Sequence, residues 1–374
     1  MLKARLFIPN RSVRINKNEP AWITSEIKRK IRKRRKLFRK AKQTNLPTDW
    51  DRFKTARNNV IDLIKAAKRK QIDNVTYKLL HNRTSKSWWE TIKKLIKPNC
   101  SKATIPPLHS NNSVIFDKID KAKCFNKYFT DQTKLDDSQV ADPTPPYYRL
   151  ISTLESIQVN QTDVAQILKA LPMGKAVGPD LLNNRILKEV AEYIAKPLSD
   201  IFNTSLRTGV FPETWKLANV CPIHKKDDPA LVSNYRPISL LCSVSKVFEK
   251  LVYKHIFNHM LNNNILSPYQ SGFIPSDSTT GQLAYLYHRF CEAIDSGKEV
   301  RVVFCDVSKA FDRVWHRGLL IKLKSIGVRG KLFDWFANYL TDRKQQVQIE
   351  NISSDMLSVD AGVPQGSKLG PLLF

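Results

Sequence analysis

Between Ile27 and Lys42, eleven of sixteen residues are lysine or arginine. No fold can place such a segment in its interior, because a buried cation without a partner costs several kcal/mol. Ile27, Ile31 and Phe38 keep a thin apolar stripe through the run, so the spacing predicts a surface helix with basic faces. The first 100 residues hold 29 Lys and Arg against 7 Asp and Glu, a surplus of 22 out of the chain's net charge of +28. A positive field gathered at one end attracts a polyanion by releasing its counterions. Nucleic acid is therefore the leading partner, through Lys28, Arg29, Lys30, Arg32, Lys33, Arg34, Arg35 and Lys36. A solvated basic helix is the plain alternative. An anionic membrane surface fits less well, since apolar residues here are too sparse for an interfacial anchor.

The second helix is predicted to start at Pro47 with a capping box, Thr48-x-x-Asp51, and to run past Tyr77. Trp50, Phe53, Val60, Ile61 and Ile64 recur at helical spacing, and a further short helix is predicted around Trp88, Trp89 and Ile92. These aromatics could stack on bases, but packing between helices is the simpler use. Residues 97–115 are richer in Pro, Asn and Ser, as a linker is. A short helix around Ala122–Phe129 and a break at Asp142–Pro146 follow. Beyond them the pattern is mixed α/β and the charge nearly balances.

Three hundred and seventy-four residues with 42% hydrophobic side chains suffice for two or three domains. There is no run of about 18 apolar residues, as a membrane span needs. The N-terminus has no apolar core of a signal peptide, so the chain is expected to be intracellular, nuclear or cytoplasmic, and not secreted. The run Lys28–Lys36 could serve as a nuclear signal. Six scattered cysteines without a Cys-x-x-Cys pair read as reduced thiols.

Three clusters carry chemistry. Glu299–Asp306 reads E-V-R-V-V-F-C-D, a β-branched apolar run that predicts a buried strand ending on an aspartate. A carboxylate buried there needs a cation or a hydrogen-bond partner, and Mg2+ would supply one, since it takes oxygen ligands shared with substrate phosphates. A cap or turn aspartate is the commoner use of such a residue. Ala361–Pro371 packs three glycines and two prolines into eleven residues, which specifies a shaped backbone around Gln365. His224–Asp228 precedes Ser233–Leu241, where Lys and Arg beside a β-type segment can hold triphosphate charge.

The order of these pieces is more specific than any one of them. Gly178–Asp180, Phe211–Trp215 with Cys221–Lys226, Asn234–Leu241, Gln270–Phe273 through Thr279, Phe304–Asp312 and Ala361–Phe374 follow one another. Over roughly residues 165–374 this series resembles the reverse transcriptases of non-LTR (LINE-type) retrotransposons. The resemblance implies a right-hand polymerase of α/β (α+β) class, with fingers and a partial palm preceded by a basic helical region. Its expected divisions are a basic helical extension at 1–96, a connector with a short helix at 97–150, fingers at 151–298 and partial palm at 299–374. It implies an RNA template, a DNA primer and deoxynucleoside triphosphates as partners, no membrane, and Mg2+, or Mn2+ in its place. Asp306 would be the first metal-binding carboxylate, assisted by the Val307 carbonyl. Phe311 would lie under the incoming sugar and exclude a 2′-hydroxyl. Lys225 and Arg236 would meet the triphosphate, and Gln365 and Gly366 would line the nucleotide and template pocket. Asp312 is expected to be structural.

Two departures qualify the match. Ile274–Asp277 offers no basic residue where the family commonly has one. The second carboxylate motif, Tyr-x-Asp-Asp, is absent, and Asp136-Asp137 and Asp227-Asp228 precede Asp306 in the wrong order. The chain is thus expected to be a fragment cut within the palm, with an uncovered edge there, and not to polymerise by itself. The alternatives are a nucleic-acid-binding remnant without catalysis and a maturase-like relative.

Overall fold

The computed structural model describes residues 20, 22–81, 88–89, 91–92, 105–110 and 113–374. The chain divides into two compact units, residues 1–104 and 105–374. The expectations for residues 1–19 and Cys100, and those for 97–104 and 111–112 of the 97–115 linker, lie outside the described residues.

In the first unit, helices α1 (Ser25–Thr44) and α2 (Pro47–His81) pack as a hairpin. The Thr24 hydroxyl caps α1 by accepting the Ile27 N–H, and Asn45 ends it in the left-handed conformation at φ 50°. Ile27, Ala41 and Val60 are buried between the helices. Phe38 packs on Phe53, with ring centres 5.1 Å apart, and on Trp50 at 6.2 Å. The aromatics of this hairpin thus serve packing. The capping box is corrected: Pro47 is the first helical residue, so Thr48 lies inside the first turn. The neighbouring Asp49, buried, instead accepts the Thr44 hydroxyl and pairs with Lys40. Trp88, Trp89 and Ile92 are helical, as their spacing suggests.

The second unit is mixed α and β. A hairpin of β1 (Leu108–Ser110) and β2 (Ser113–Ile115) leads into α3 (Lys118–Asp131), capped by the Asp117 carboxylate. Helices α4 (Gln161–Lys169), α5 (Asn184–Glu189) and α6 (Ala191–Thr208) follow. Strands β3 (Leu217–His224) and β4 (Tyr235–Leu240) form an antiparallel hairpin. Helices α7 (Ser243–Asn262), α8 (Thr279–Asp295), α9 (His316–Ser325) and α10 (Gly330–Leu340) make a long crossover to β5 (Arg343–Ile349). β5 lies parallel to β3 and pairs antiparallel with β6 (Ile352–Ser353) and β7 (Leu357–Val359). A last helical turn, α11, spans Gly370–Leu373.

One face of this sheet rests on α3, where Phe125 and Phe129 meet Ala218, Val220, Tyr235 and Val347. The period-2 burial of β4 and β5 follows from that single covered face. The larger core lies among α4, α6, α7, α9 and α10, with Phe202 stacked on Phe248 at 4.5 Å and Phe211 edge-on to Trp335 at 5.4 Å. Among the described residues no helix is long and apolar enough to cross a membrane.

The strand predicted at Glu299–Asp306 does not form. The segment runs unpaired, with Val303 84% and Phe304 91% exposed. A strand exists only by pairing, and among the described residues no strand pairs with this segment.

Candidate functional site

The glycine- and proline-rich loop after β7 is clamped from three sides. From the turn that holds Phe311 and Asp312, the Phe311 carbonyl accepts the Val363 N–H and the Val314 carbonyl accepts the Gly362 N–H, both at 2.8 Å. From β4, the Ser239 N–H donates to the Gln365 carbonyl at 2.8 Å. From α7, the Glu249 carboxylate accepts the Lys368 N–H at 2.6 Å. Two glycines are required by these approaches. Gly362 sits at φ 86°, and a Cβ there would lie 2.6 Å from the Asp312 carbonyl oxygen. Gly366 sits at φ 135°, where a Cβ would lie 2.5 Å from the Ser239 carbonyl oxygen.

So held, the Gln365 side-chain amide donates to both carboxylate oxygens of Asp312 at 2.8 Å. Burial pushes the Asp312 carboxyl above its ordinary value, while the Gln365 hydrogen bonds and the Lys309 charge pull it down. The His316 Nε2–H donates to the Gly362 carbonyl at 2.7 Å, and burial pushes its pKa down. Glu249 is fully buried, and desolvation pushes its carboxyl up against the Lys368 N–H and the Arg343 charge. Phe311 packs against Phe374 at 5.0 Å and Phe273 at 6.0 Å.

The structure therefore brings together Phe311, Gln365 and Gly366, with Asp312 as the partner of Gln365. It does not bring the other sequence candidates to this loop. Lys225 is exposed at the loop end of the β3–β4 hairpin, its N–H bonded to the Asn234 carbonyl at 2.9 Å. Arg236 is exposed opposite Ile223, on the sheet face away from Pro237 and Ser239. Asp306 and Val307 are exposed on the unpaired segment. In the first unit Arg29, Arg32, Lys33, Arg35 and Lys36 are exposed, while Lys28, Lys30 and Arg34 are half-buried.

Among the described residues no three His, Cys, Asp or Glu side chains gather as a metal site. Asp306 and the Val307 carbonyl supply two oxygens, whereas Mg2+ takes about six. These donors make at most a share of a site.

The comparisons with known proteins join this geometry. Residues 223–374 match the family model described as "Reverse transcriptase (RNA-dependent DNA polymerase)". The chain is 30% identical over 365 residues to the "Probable RNA-directed DNA polymerase from transposon BS" of Drosophila melanogaster, covering 94% of this chain and 39% of that protein. It carries a reverse transcriptase domain of the non-LTR retrotransposon family. Over 217 residues it is 35% identical to the "RNA-directed DNA polymerase from mobile element jockey" of the same fly, covering 58% of this chain and 24% of that one. Over 213 residues it is 37% identical to the "Probable RNA-directed DNA polymerase from transposon X-element", covering 57% and 23%. The chain spans less than half the length of these relatives. Residues 23–82 also match the model described as "Female sterile protein K10 C-terminal domain", which coincides with the α1–α2 hairpin.

Within the reverse transcriptase domain, Gln365, Gly366 and Phe311 are legible as motif residues. Ser239 lies in the Asn234–Leu241 block, whereas Glu249, Lys216 and Arg343 lie in none, although all three line or anchor the loop. Arg343 has a signal: in Arg343–Ile349 the alternation places it on the face of Val347 and Ile349. Glu249 has one too, lying among Val244, Val247, Phe248, Leu251 and Val252 at helical spacing.

Proposed function

We propose that residues 105–374 are the nucleotide-gripping part of an RNA-directed DNA polymerase, with fingers over residues 151–298 and part of the palm over 299–374. The observation that carries this is the clamp on Gln365: its amide is fixed by Asp312, and its backbone is tied to Ser239 beside Phe311. A preorganised loop of this kind positions a substrate without spending binding energy on ordering it. In this reading Gln365 and Gly366 face the incoming nucleotide and template base. Phe311 excludes a 2′-hydroxyl, and Lys225 and Arg236 on the β3–β4 hairpin close on the triphosphate. Asp306 with the Val307 carbonyl gives its share of ligands to Mg2+ or Mn2+. An RNA template and a DNA primer complete the set of partners.

The same reading holds that these 374 residues alone do not extend a primer, because among the described residues no other carboxylates gather with Asp306 to share two ions. Binding is then the measurable remainder. Titration of a labelled deoxynucleoside triphosphate should show saturable binding that a ribonucleotide competes for weakly, and Phe311→Ala should bring the two sugars closer in affinity. Equal affinity for both sugars in the unaltered chain would sink the assignment. Mg2+-dependent primer extension by the purified chain would overturn the expected inactivity.

A second reading is favoured by one specific observation. Of the eleven cations of residues 28–42, Lys40 is paired with Asp49 and Lys28 has a partner of its own, while the other nine form no ion pair within 4 Å among the described residues. Such a self-repelling helix is suited to RNA, through Lys28, Arg29, Lys30, Arg32, Lys33, Arg34, Arg35 and Lys36. Nucleic-acid binding by the first unit can therefore persist without any catalysis.

A further inference from the structure

Behind the Gln365 loop, on the α3 side of the sheet, lies a small cavity of about 40 Å³. Two of its walls are cations taken almost wholly out of water: Lys216 is 3% exposed and Arg343 is 4% exposed. Lys216 immediately precedes β3 and Arg343 opens the parallel strand β5, where the Lys344 N–H meets the Lys216 carbonyl at 3.4 Å. Burial pushes the Lys216 ammonium down from its ordinary pKa, with the Asp342 and Glu213 charges opposing this and the Arg343 charge adding to it.

Neither cation is held in an ion pair, although Asp342 and Glu213 act on Lys216 through charge, as Glu249 does on Arg343. Among the described residues no carboxylate forms an ion pair within 4 Å of Lys216 or Arg343. Arg343 donates from Nη1 to the Tyr339 carbonyl at 3.0 Å, and its Nη2, buried, has no hydrogen-bond partner. Asp312 lines the cavity, but its carboxylate is already bound by the Gln365 amide. Glu249 acts on Arg343 through charge, while its oxygens accept the N–H groups of Lys368 and Leu369. A buried cation left so is expensive, and a guanidinium beside an ammonium is the donor set that receives a tetrahedral oxyanion. Ser239, Thr133 and Gln345 add polar groups to a wall that also holds Phe129, Pro237 and Val363. The cavity exceeds the roughly 10–15 Å³ that one water needs.

We propose that Lys216 and Arg343 form a binding site for a free phosphate-class oxyanion, lodged behind the loop that carries Gln365. The site is distinct from the exposed Lys225 and Arg236, which stand on the β3–β4 hairpin and its outer face. Its small volume and the depth of both cations admit a free oxyanion and exclude a nucleic-acid backbone. Such a site is independent of polymerase activity, because it needs only two cations held in no ion pair and the cavity between them.

The test is calorimetric titration of the whole chain with inorganic phosphate at constant ionic strength. One saturable site is expected. Lys216→Met should weaken it at least tenfold, and Lys216→Arg, which keeps the charge, should restore it. Replacing Arg32, Lys33 and Lys36 by Gln on α1 should leave that site unchanged, which separates it from loose binding to the basic helix. The proposal is overturned if the unaltered chain shows no saturable site. It is equally overturned if Lys216→Met, folded as judged by circular dichroism, binds as the unaltered chain does, or if an oligoribonucleotide lacking terminal phosphates displaces the ion.

Discussion

The Glu249 carboxylate accepts the Lys368 N–H at 2.6 Å, so a helix of the large core holds the loop that presents Gln365. The same oxygen receives the Leu369 N–H at 3.4 Å, and the other accepts the Ser245 hydroxyl at 3.2 Å. Removing this acceptor strands the Lys368 and Leu369 N–H groups and the Ser245 hydroxyl and takes away a charge that acts on Arg343. Glu249→Ala should therefore lower stability by about 3–5 kcal/mol, the cost of breaking a buried charged network from one side. Urea unfolding measures it, and amide exchange at Lys368 and Leu369 should accelerate before global unfolding. Unchanged exchange there would show that the loop is held by other contacts.

Gly366 tests the second side of the clamp. Alanine at φ 135° is strained by about 1–3 kcal/mol, and its Cβ would overlap the Ser239 carbonyl oxygen, adding about 1–3 kcal/mol. Gly366→Ala should thus cost about 2–6 kcal/mol or force the loop away from β4. In the second case the Ser239 N–H loses the Gln365 carbonyl and its exchange protection falls. Retention of both stability and Ser239 protection would contradict so close an approach of the loop to β4.

Much of this arrangement can be read from local pattern. The α1–α2 hairpin is written in the spacing of Ile27, Phe38, Phe53 and Val60, and the loop in its glycines and prolines. What is not legible depends on partners distant in sequence. Glu299–Asp306 has the composition of a strand, yet pairing makes a strand, and no strand among the described residues pairs with it. Lys216 and Glu249 are charges, which by default are solvated. Only the packing of α7 against the loop, and of β3 beside β5, turns them inward. Arg236 shows the reverse case, where register with Ile223 sends a motif residue to the opposite face from Ser239.

His316 makes the third side of the clamp pH-sensitive. Burial depresses its pKa from the ordinary 6.5, with the Arg343 charge adding to that and the Gly362 bond and Asp360 charge opposing it. The unfolded chain therefore binds a proton more readily than the folded one, and stability rises with pH across the interval. The contribution is complete above about pH 6.5 and is lost as pH falls through the folded-state value. His316→Gln keeps a donor for the Gly362 carbonyl without titrating. Measured against it, the unaltered chain should lose stability on acidification below about pH 6.5. Parallel stability curves for the two would show that His316 does not titrate differently on folding.

The basic helix predicts its own salt dependence. If Arg32, Lys33 and Lys36 each neutralise a phosphate of single-stranded RNA, each contributes about 0.7 to the slope of log K against log salt. Changing all three to Gln should then reduce the slope by about 2 between about 50 and 200 mM salt. These side chains are exposed, so the fold should be unaffected. Fluorescence anisotropy with an unstructured RNA reads the slope directly. The affinity loss should be similar for RNAs of different sequence, because phosphate contacts carry no base information. A loss confined to one sequence would place base recognition on α1, and an unchanged slope would place the RNA elsewhere on the chain.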